Sequence, residues 1–402
     1  MPSRNSASRL VATALRRGVG PGVPAPGLLR MHPQARRQSS GAYVWPAVEA
    51  DALANCERSN ASWSERLLLH RPRAIGNKAP DRHVGLNKQI LKCGDGDELR
   101  GVIERYASKF NPVNVATALR KVLAMKQAGM LPRDAADRAV KILEDRAAKT
   151  LDDFKPQDLA TTAWAFAKMK NKPGWLLLSA LEDRVAATAT EFNSQDVAMT
   201  LWAFAKIGAR PRELVLRALL LRAEAIAANF NAQDIANTLW AVATFDITPA
   251  EGEGDGSGEQ RSGLGGSRCA ASRMLRELEA RTAQVAEQFN AQNVTNTLGA
   301  YARMGVRPRE DVLVALLRRA GEIVMSFNEQ GVVNTLSALA AIGGDRGAEG
   351  EGEREGEGEG EGESGEALVR ELVRQLVGRH ADIQRSAAHS HLPDAMWKLN
   401  IR

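Results

Sequence analysis

The feature that most constrains the fold of this chain is a sequence motif that recurs with a period of 38 residues. Each copy starts with Phe and reads approximately F-N-x-Q-D-[IV]-A-N-T-L-W-A-x-A-x-[MI]-G. Four clear copies and two weaker ones begin, in chain order, at Phe110, Phe154, Phe192, Phe230, Phe289 and Phe327. Periods of about 20–50 residues are typical of solenoids, in which each unit packs only against its neighbours. The period therefore predicts a repeat protein rather than several independent globular domains.

Each repeat carries the signals of two helices. The motif predicts the second helix of a hairpin, because an Asn such as Asn193 can cap its N-terminus and a Gly such as Gly208 can end it. An acidic residue such as Glu213 then marks the first turn of the following helix, where it favours the helix dipole. The pattern predicts an all-α, right-handed solenoid of about seven helical hairpins. In the last, degenerate copy, Ala387 replaces the Phe and Trp397 holds the Trp position.

Composition divides the chain into segments. Residues 1–40 hold seven Arg, five Ser and no acidic residue, which is typical of an organellar transit peptide. Residues 41–85 form a poorly determined linker, and residues 86–402 form the predicted solenoid. Two low-complexity segments, 251–272 and 344–366, are predicted to be disordered insertions. The first of them accounts for the longer spacing between the fourth and fifth copies of the motif.

Two recurring side chains inside the motif have both a structural and a binding interpretation. A Trp recurs ten residues after the Phe, at Trp164, Trp202 and Trp240. Its ring could stack on a nucleobase, but we favour a core role, because large apolar residues at fixed helical spacing usually pack inside. The Asn of the Asn–Thr pairs, at Asn237, Asn296 and Asn334, is interpreted as a buried amide that ties one repeat to the next.

These repeats resemble the octotricopeptide repeat family, the 38-residue helical-hairpin proteins of algal and other protist organelles, and related RAP-domain and FAST-kinase-like proteins. The resemblance covers about three quarters of the chain, and residues 86–114 are similar to the segment that opens such repeat arrays. It implies RNA binding on the inner surface of the solenoid and a role in processing, stability or translation of organellar transcripts. No RAP-like segment occurs before Arg402, so we expect either a longer natural chain or a partner that covers the last repeat.

A basic residue recurs eight positions before the Phe position of six successive repeats. These residues are Arg146, Arg184, Arg222, Arg281, Arg319 and Arg379. Stacked hairpins would align them in a stripe able to neutralise successive RNA phosphates. The alternative, to which we give equal weight, is an ion pair with the Asp four residues after the Phe, at Asp158, Asp196 or Asp234.

A second set of candidate RNA contacts lies near the C-terminal end of the second helix. It consists of Lys168, Lys206 and Arg303. A cation at this place also offsets the helix dipole and needs no ligand, so these three residues are the weaker indication of RNA binding.

The sequence gives little support for catalysis or for metal binding. The three Cys lie far apart, the only close His pair is His389 and His391, and no phosphate-binding loop, nucleophile elbow or HExxH motif occurs. We therefore expect no enzyme activity, catalytic residue, cofactor, metal or small-molecule substrate. No apolar run is long enough to span a membrane.

The expected function is sequence-selective or general binding of single-stranded RNA in an organelle, supporting transcript processing, stability or translation. The expected compartment is the mitochondrial matrix, with the chloroplast stroma as the alternative. The expected partners are organellar RNA and ribonucleoprotein components that cap the C-terminal repeat. The alternative function is a protein-binding helical scaffold in an organellar ribonucleoprotein or other assembly, because helical solenoids serve both uses.

Overall fold

The computed structural model describes residues 82–249, 265–343 and 365–390. Within these ranges the chain is built from α-helices and short 3-10 turns, with no β-strand. The fourteen helices of the described ranges are α1 (Arg82–Lys92), α2 (Gly96–Tyr106), α3 (Pro112–Gln127), α4 (Arg133–Thr150), α5 (Pro156–Lys168), α6 (Trp175–Thr188), α7 (Ser194–Ile207), α8 (Glu213–Ala225), α9 (Ala232–Thr244), α10 (Gly265–Val285), α11 (Ala291–Met304), α12 (Glu310–Glu322), α13 (Glu329–Gly343) and α14 (Gly365–Ser390).

The helices lie in two layers. Each odd-numbered helix packs against the next odd-numbered helix, from α1 to α13, and the even-numbered helices pack in the same way from α2 to α14. Each odd helix also contacts the even helix that follows it, which gives seven hairpins within the described ranges. Because every hairpin packs against its neighbours in chain order, the prediction of an all-α solenoid is confirmed.

The motif Phe marks the start of each hairpin from α3 onward. One turn of 3-10 helix ends the preceding even helix, and the Phe then adopts an extended backbone that redirects the chain into the odd helix. All six Phe side chains are fully buried, at 0% exposure. Burial of such a ring contributes about 1.5–3 kcal/mol, so this one position anchors every repeat in the core.

The N-termini of the odd helices are capped as the sequence predicts. The side-chain oxygen of Asn193 accepts the backbone N–H of Asp196 at 2.8 Å, and the Asn at the same position of α3, α9, α11 and α13 accepts the equivalent N–H group. Each cap satisfies a donor that the helix itself leaves without a partner.

The odd helices α5, α7, α9 and α11 are each followed by a left-handed residue at one position of the repeat. Gly208 and Gly305, predicted helix stops, have φ of 72° and 68°. The same position of the repeat is left-handed at Lys170 and Asp246, with φ of 54° and 55°. The geometry is therefore imposed by the repeat, because two residues with side chains adopt a conformation that favours glycine.

Two helix starts differ from the predicted boundaries. Helix α1 begins at Arg82, inside the segment 41–85 that the sequence predicts to be a linker. Helix α10 begins at Gly265, so residues 265–272 are helical rather than part of the insertion 251–272. Ala270 and Ala271 in this stretch are buried, which composition alone did not reveal because Gly, Ser and Ala are also common in linkers.

The last hairpin also departs from the repeat pattern. Helix α14 runs continuously from Gly365 to Ser390 and passes Ala387 without the 3-10 turn that precedes the Phe elsewhere. It also begins two residues inside the predicted insertion 344–366. Without a Phe to bury, nothing in the sequence forces the chain to turn there. The transit peptide prediction for 1–40 and the Trp397 position lie outside the described residues.

None of the described helices is both long and apolar enough to cross a membrane. In the part of the chain that the structure describes, no three His, Cys, Asp or Glu side chains come together as a metal site would require.

Candidate nucleic-acid interface

The six repeated Arg residues lie on the even helices from α4 to α14, and all except Arg379 are near the C-terminal end of their helix. The Nε of each one donates a hydrogen bond to the carbonyl oxygen of the motif Phe that starts the same hairpin, over 2.7–3.3 Å. The donor residues are Arg146, Arg184, Arg222, Arg281, Arg319 and Arg379, and the acceptors are Phe110, Phe154, Phe192, Phe230, Phe289 and Phe327. The Arg therefore joins the end of each hairpin to its beginning.

The hydrogen bond to the Phe carbonyl takes the place of the ion pair with Asp, which is one of the two interactions predicted for the Arg. The predicted ion pair with Asp158, Asp196 or Asp234 does not form among the described residues, because the Nε is directed at the backbone instead. All six Arg are half-buried, and burial lowers the pKa of Arg222. Each guanidinium also has terminal N–H groups, of which Arg281 directs one at Gln284 over 3.1 Å and Arg319 one at Glu322 over 2.9 Å. Contact with RNA phosphates stays a prediction for this set.

The Asp residues of the motif serve the odd helices themselves. Asp158 accepts the backbone N–H of Lys155 at 3.3 Å, and Asp234 accepts the hydroxyl of Ser194 at 3.2 Å. Burial raises the pKa of the Asp158, Asp196 and Asp234 carboxyls above the ordinary value, and for Asp196 the two neighbouring carboxylates add to the effect. These acids are buried structural groups that lie one per repeat along the odd layer.

Carboxylates on the even helices connect consecutive hairpins. Glu182 on α6 accepts both the backbone N–H and the Nε of Arg212, the residue that precedes α8. Glu144 and Glu279 accept the backbone N–H of the residue that precedes the next even helix, at 2.6 and 3.3 Å. Burial raises the pKa of Glu182 and Glu279, although hydrogen bonds from the partner Arg act in the opposite direction. These three carboxylates are thus committed to contacts between consecutive hairpins.

The odd helices present a different surface, which we call the groove face. It consists of the residues at positions 3, 7, 10 and 14 after the motif Phe, which fall on one side of a helix. Its members from α5 to α11 are Gln157, Thr161, Trp164, Lys168, Gln195, Met199, Trp202, Lys206, Gln233, Asn237, Trp240, Thr244, Gln292, Asn296, Gly299 and Arg303. Helix α13 adds Gln330, Asn334 and Ser337. Every one of these residues is half-buried or exposed.

The Trp and Lys side chains of the groove face lie against one another. The Nζ of Lys168 lies 5.8 Å from the ring centroid of Trp164 and 5.0 Å from that of Trp202. Lys206 lies 5.9 Å from Trp240, and the rings of Trp202 and Trp240 are 6.4 Å apart at an angle of 37°. These are cation–π contacts that leave the ammonium groups able to reach an anion.

The prediction that the recurring Trp belongs to the core is therefore only partly correct. Trp164 and Trp240 pack against the core on one side, but all three Trp rings are half-buried. Trp164 and Trp202 line a cleft of about 500 Å³ together with Lys168, and Trp240 lines a second cleft of about 420 Å³. The rings form a row that is accessible from the groove.

The prediction of a buried Asn is wrong. The Thr of each Asn–Thr pair is buried, with Thr238, Thr297 and Thr335 at 0% exposure, whereas Asn237 and Asn296 are half-buried and line the clefts. Adjacent residues on a helix point about 100° apart, so the Thr faces the layer interior and the Asn faces the groove. The amides of Asn237 and Asn296 make no hydrogen bond to another residue that the structure describes.

The second basic set lies on this face. Lys168, Lys206 and Arg303 are exposed. Arg303 forms an ion pair with Asp246 over 3.3 Å, while neither Lys forms an ion pair with a described residue. Arg120 on α3 extends the basic side of the larger cleft. The structure therefore places the two predicted basic sets on different layers, and only the Lys set shares a surface with free amides and aromatic rings.

Comparison with known proteins gives one informative match. Residues 133–252, which span α4 to α9, match the model of the RNA-editing substrate-binding complex 6 protein family. Residues 276–298 match a family described only as a protein of unknown function. The first match covers less than a third of the chain. No curated protein matches the chain. The matched region contains all three groove Trp residues and indicates an RNA-associated helical protein, without confirming the octotricopeptide resemblance.

Sequence reasoning missed two features of the site. The first is the partner of the repeated Arg, because a backbone carbonyl leaves no mark in the sequence. The persistence of Arg281 and Arg319 where Asn293 and Gly331 replace the Asp is the signal that an Asp partner is not required. The second is the groove face. Its positions, 3, 7, 10 and 14 after the motif Phe, have the spacing of one side of a helix, but they form a continuous surface only because the odd helices pack side by side.

Proposed function

We propose that this protein binds single-stranded RNA along the groove face of its odd helices. The observation that carries the proposal is the row formed by Trp164, Trp202 and Trp240, with Lys168 and Lys206 between the rings. Aromatic rings stack on unpaired bases of any sequence, and the interleaved cations can neutralise the phosphates that connect them. The match of residues 133–252 to an RNA-editing substrate-binding complex family supports an RNA-associated role.

The amides of the groove face add a means of sequence preference. Gln195, Gln233 and Gln292 recur at one position, and Asn237 and Asn296 recur four residues after it in their repeats. Amide groups donate to and accept from the edges of unpaired bases, which is how single-stranded RNA is usually read. The residue four after the Gln varies between Thr, Met and Asn, so neighbouring repeats present different edges.

We further propose that the protein is a binding protein without enzyme activity that supports transcript processing, stability or translation in the mitochondrial matrix. The Arg-rich, acid-free composition of residues 1–40 supports import into the organelle. Nothing in the family match supports the chloroplast alternative. Fusion of residues 1–40 to a fluorescent protein tests the compartment: mitochondrial import is expected, and a cytosolic or plastid signal would contradict it.

The binding proposal is tested with the purified full chain and fluorescent single-stranded RNA pools, by anisotropy. Trp202→Ala should weaken binding about ten-fold, because stacking contributes about 1–3 kcal/mol per base. The matched control is Trp175→Ala, which removes an exposed Trp, 71% accessible, from the even helix α6. We expect the control to bind like the wild type. Equal loss in both variants, or equal retention, would contradict binding on the groove face.

A protein-binding scaffold is the second candidate function. Trp175, Leu176 and Leu214 expose large apolar side chains at the starts of the adjacent even helices α6 and α8. Exposed apolar clusters mark protein interfaces more often than RNA-binding surfaces. Failure of the folded wild type to bind any RNA would make this the leading interpretation.

A further inference from the structure

The row of Trp rings on the groove face stops in the middle of the solenoid. The position ten residues after the motif Phe holds Trp on α5, α7 and α9, but Gly299 on α11 and Ser337 on α13. The neighbouring rings of Trp202 and Trp240 are 6.4 Å apart. On the other side of Trp240, the repeat would place the next ring at Gly299, where there is no side chain.

The space that the missing ring would occupy is open. A Cβ built on Gly299 would meet no heavy atom within 4 Å, apart from the glycine's own neighbours and its helix backbone. A cleft of about 420 Å³ occupies this place, between α9, α11 and α13. Trp240, Asn296, Asn334 and Arg303 are among the residues that line it. The odd helices pack side by side here as they do elsewhere, and the position that holds a ring on α5, α7 and α9 is open space at Gly299.

The polar groups around this cleft are suited to the edge of a base. Asn296 makes no hydrogen bond to another described residue, so its donor and acceptor are both available. Asn334 uses its oxygen to accept from Gln330 at 2.7 Å and keeps its N–H groups. Ser337 donates to the carbonyl of Val333 at 2.9 Å, and so contributes only an acceptor.

We propose that an unpaired nucleobase of the bound RNA occupies this cleft, stacked on Trp240 in the place of the ring that the repeat lacks at position 299. The amides of Asn296 and Asn334 face its hydrogen-bonding edge. The guanidinium of Arg303, held by Asp246 over 3.3 Å, lies at the rim, where the phosphate of the same nucleotide passes. The inference rests on the proposed RNA binding and assigns this cleft to one nucleotide whose base takes the place of a missing ring, whereas bases bound at Trp164 and Trp202 stack where each of these repeats has its Trp.

The chemistry distinguishes a base from the other flat groups that could enter. A peptide aromatic side chain would use Trp240 but would leave the donor and acceptor groups of Asn296 without a partner, which is unfavourable once water is displaced. A nucleobase satisfies the ring and the amides together. The cation at the rim favours a ligand that carries a phosphate.

The test places a Trp side chain in the cleft by substitution of Gly299. Gly299→Trp in the full chain continues the row of rings and occupies the space, while Gly299→Ala adds a single carbon that meets no other atom. Both are titrated against single-stranded oligonucleotides that carry the fluorescent base 2-aminopurine at one position, moved along the strand. In the wild type, stacking on Trp240 should quench the probe at one register. Gly299→Trp should abolish this quenching and weaken binding about ten-fold, and Gly299→Ala should retain both within two-fold.

A second variant fills the same cleft from another helix, so the test does not depend on correct folding of Gly299→Trp alone. Ser337→Trp fills the same cleft from the exposed face of α13 and should have the same effect. If the wild type binds no RNA, the proposed function itself fails. If the wild type binds RNA but folded Gly299→Trp and Ser337→Trp bind as tightly and quench as strongly, the groove binds RNA and the base-insertion site is wrong. An aromatic peptide that binds the wild type but not Gly299→Trp, and that RNA does not displace, would also overturn the assignment.

Discussion

The even and the odd layer of this solenoid have the same 38-residue period, but their recurring polar residues have different partners. On the even helices, the recurring Arg donates to a Phe carbonyl in the six hairpins from α3 onward, and Glu144, Glu182 and Glu279 accept backbone N–H groups from the next hairpin. On the odd helices, the residues that recur on the groove face are amides, Trp rings and cations, and most make no hydrogen bond or ion pair with another described residue. A recurring charged residue is therefore a poor guide to binding until its partner is known.

The difference has a simple physical origin. A half-buried Arg beside an unpaired carbonyl gains a charge-assisted hydrogen bond and removes the cost of burying that carbonyl. An amide or ammonium group on the open face of a helix has water as its alternative partner, so it loses little by remaining free for a ligand. The even layer therefore holds the hairpins together, while the odd layer keeps its polar groups accessible.

The largest effect on stability should come from the Arg–Phe carbonyl bond. Arg319→Ala should lower the free energy of unfolding by about 2 kcal/mol, because the carbonyl of Phe289 loses its charged donor and the exposed Glu322 loses an ion pair of small weight. The adjacent Arg318, which is exposed and has no hydrogen bond to a described residue, gives a matched control with the same change in charge. Arg318→Ala should shift the urea midpoint little. Equal shifts would show that the bond does not contribute to stability.

The cations of the odd layer should affect RNA binding and not stability. Replacing Lys168 and Lys206 together with Ala removes two phosphate contacts, so the slope of log affinity against log salt should fall by about 1.4 for a single strand. The urea midpoint should change little, because both ammonium groups are exposed. An unchanged slope, with a large fall in the midpoint, would reverse the roles that we assign to the two layers.

A cation near the groove, but not on it, offers a smaller test. Lys170 follows α5 with a φ of 54°, a conformation that costs a residue with a Cβ about 1 kcal/mol relative to Gly. Lys170→Gly should therefore raise the free energy of unfolding by about 1 kcal/mol and leave RNA affinity within two-fold. A loss of affinity as large as that of the Lys pair would mean that RNA extends beyond the groove face.

The buried Asp of the odd helices should produce the smallest effect, visible as a pH dependence. Burial raises the folded-state pKa of Asp196 above its unfolded value near 3.8, so its favourable contribution is present below that pH and is lost as pH rises through the folded pKa. Asp196→Asn, which copies Asn293 of α11, should be more stable than the wild type at pH 7 and equal to it below pH 3.8. A constant difference across this range would exclude the titration.

The fold was predictable from the sequence, and the site was predictable only in part. The Phe period, the Asn caps and the Gly stops each depend on local physics, so they fixed the helices and their order. The side to which Trp202 or Asn237 points depends on how adjacent odd helices pack, and spacing alone does not reveal that. Composition misplaces the start of α10 because the first eight residues of this helix, 265–272, have the Gly, Ser and Ala content of a linker, and only their buried side chains show that they belong to the fold.

The central claim is that RNA lies on the odd helices, and cross-linking tests it most directly. The full chain is bound to single-stranded RNA that contains 4-thiouridine, irradiated, digested and mapped by mass spectrometry. We predict cross-links to peptides of α5, α7, α9 and α11 that contain Trp164, Trp202, Trp240 or Asn296. Cross-links confined to the even helices around Arg184, Arg222 and Arg281 would contradict the account and would assign the RNA to the Arg stripe.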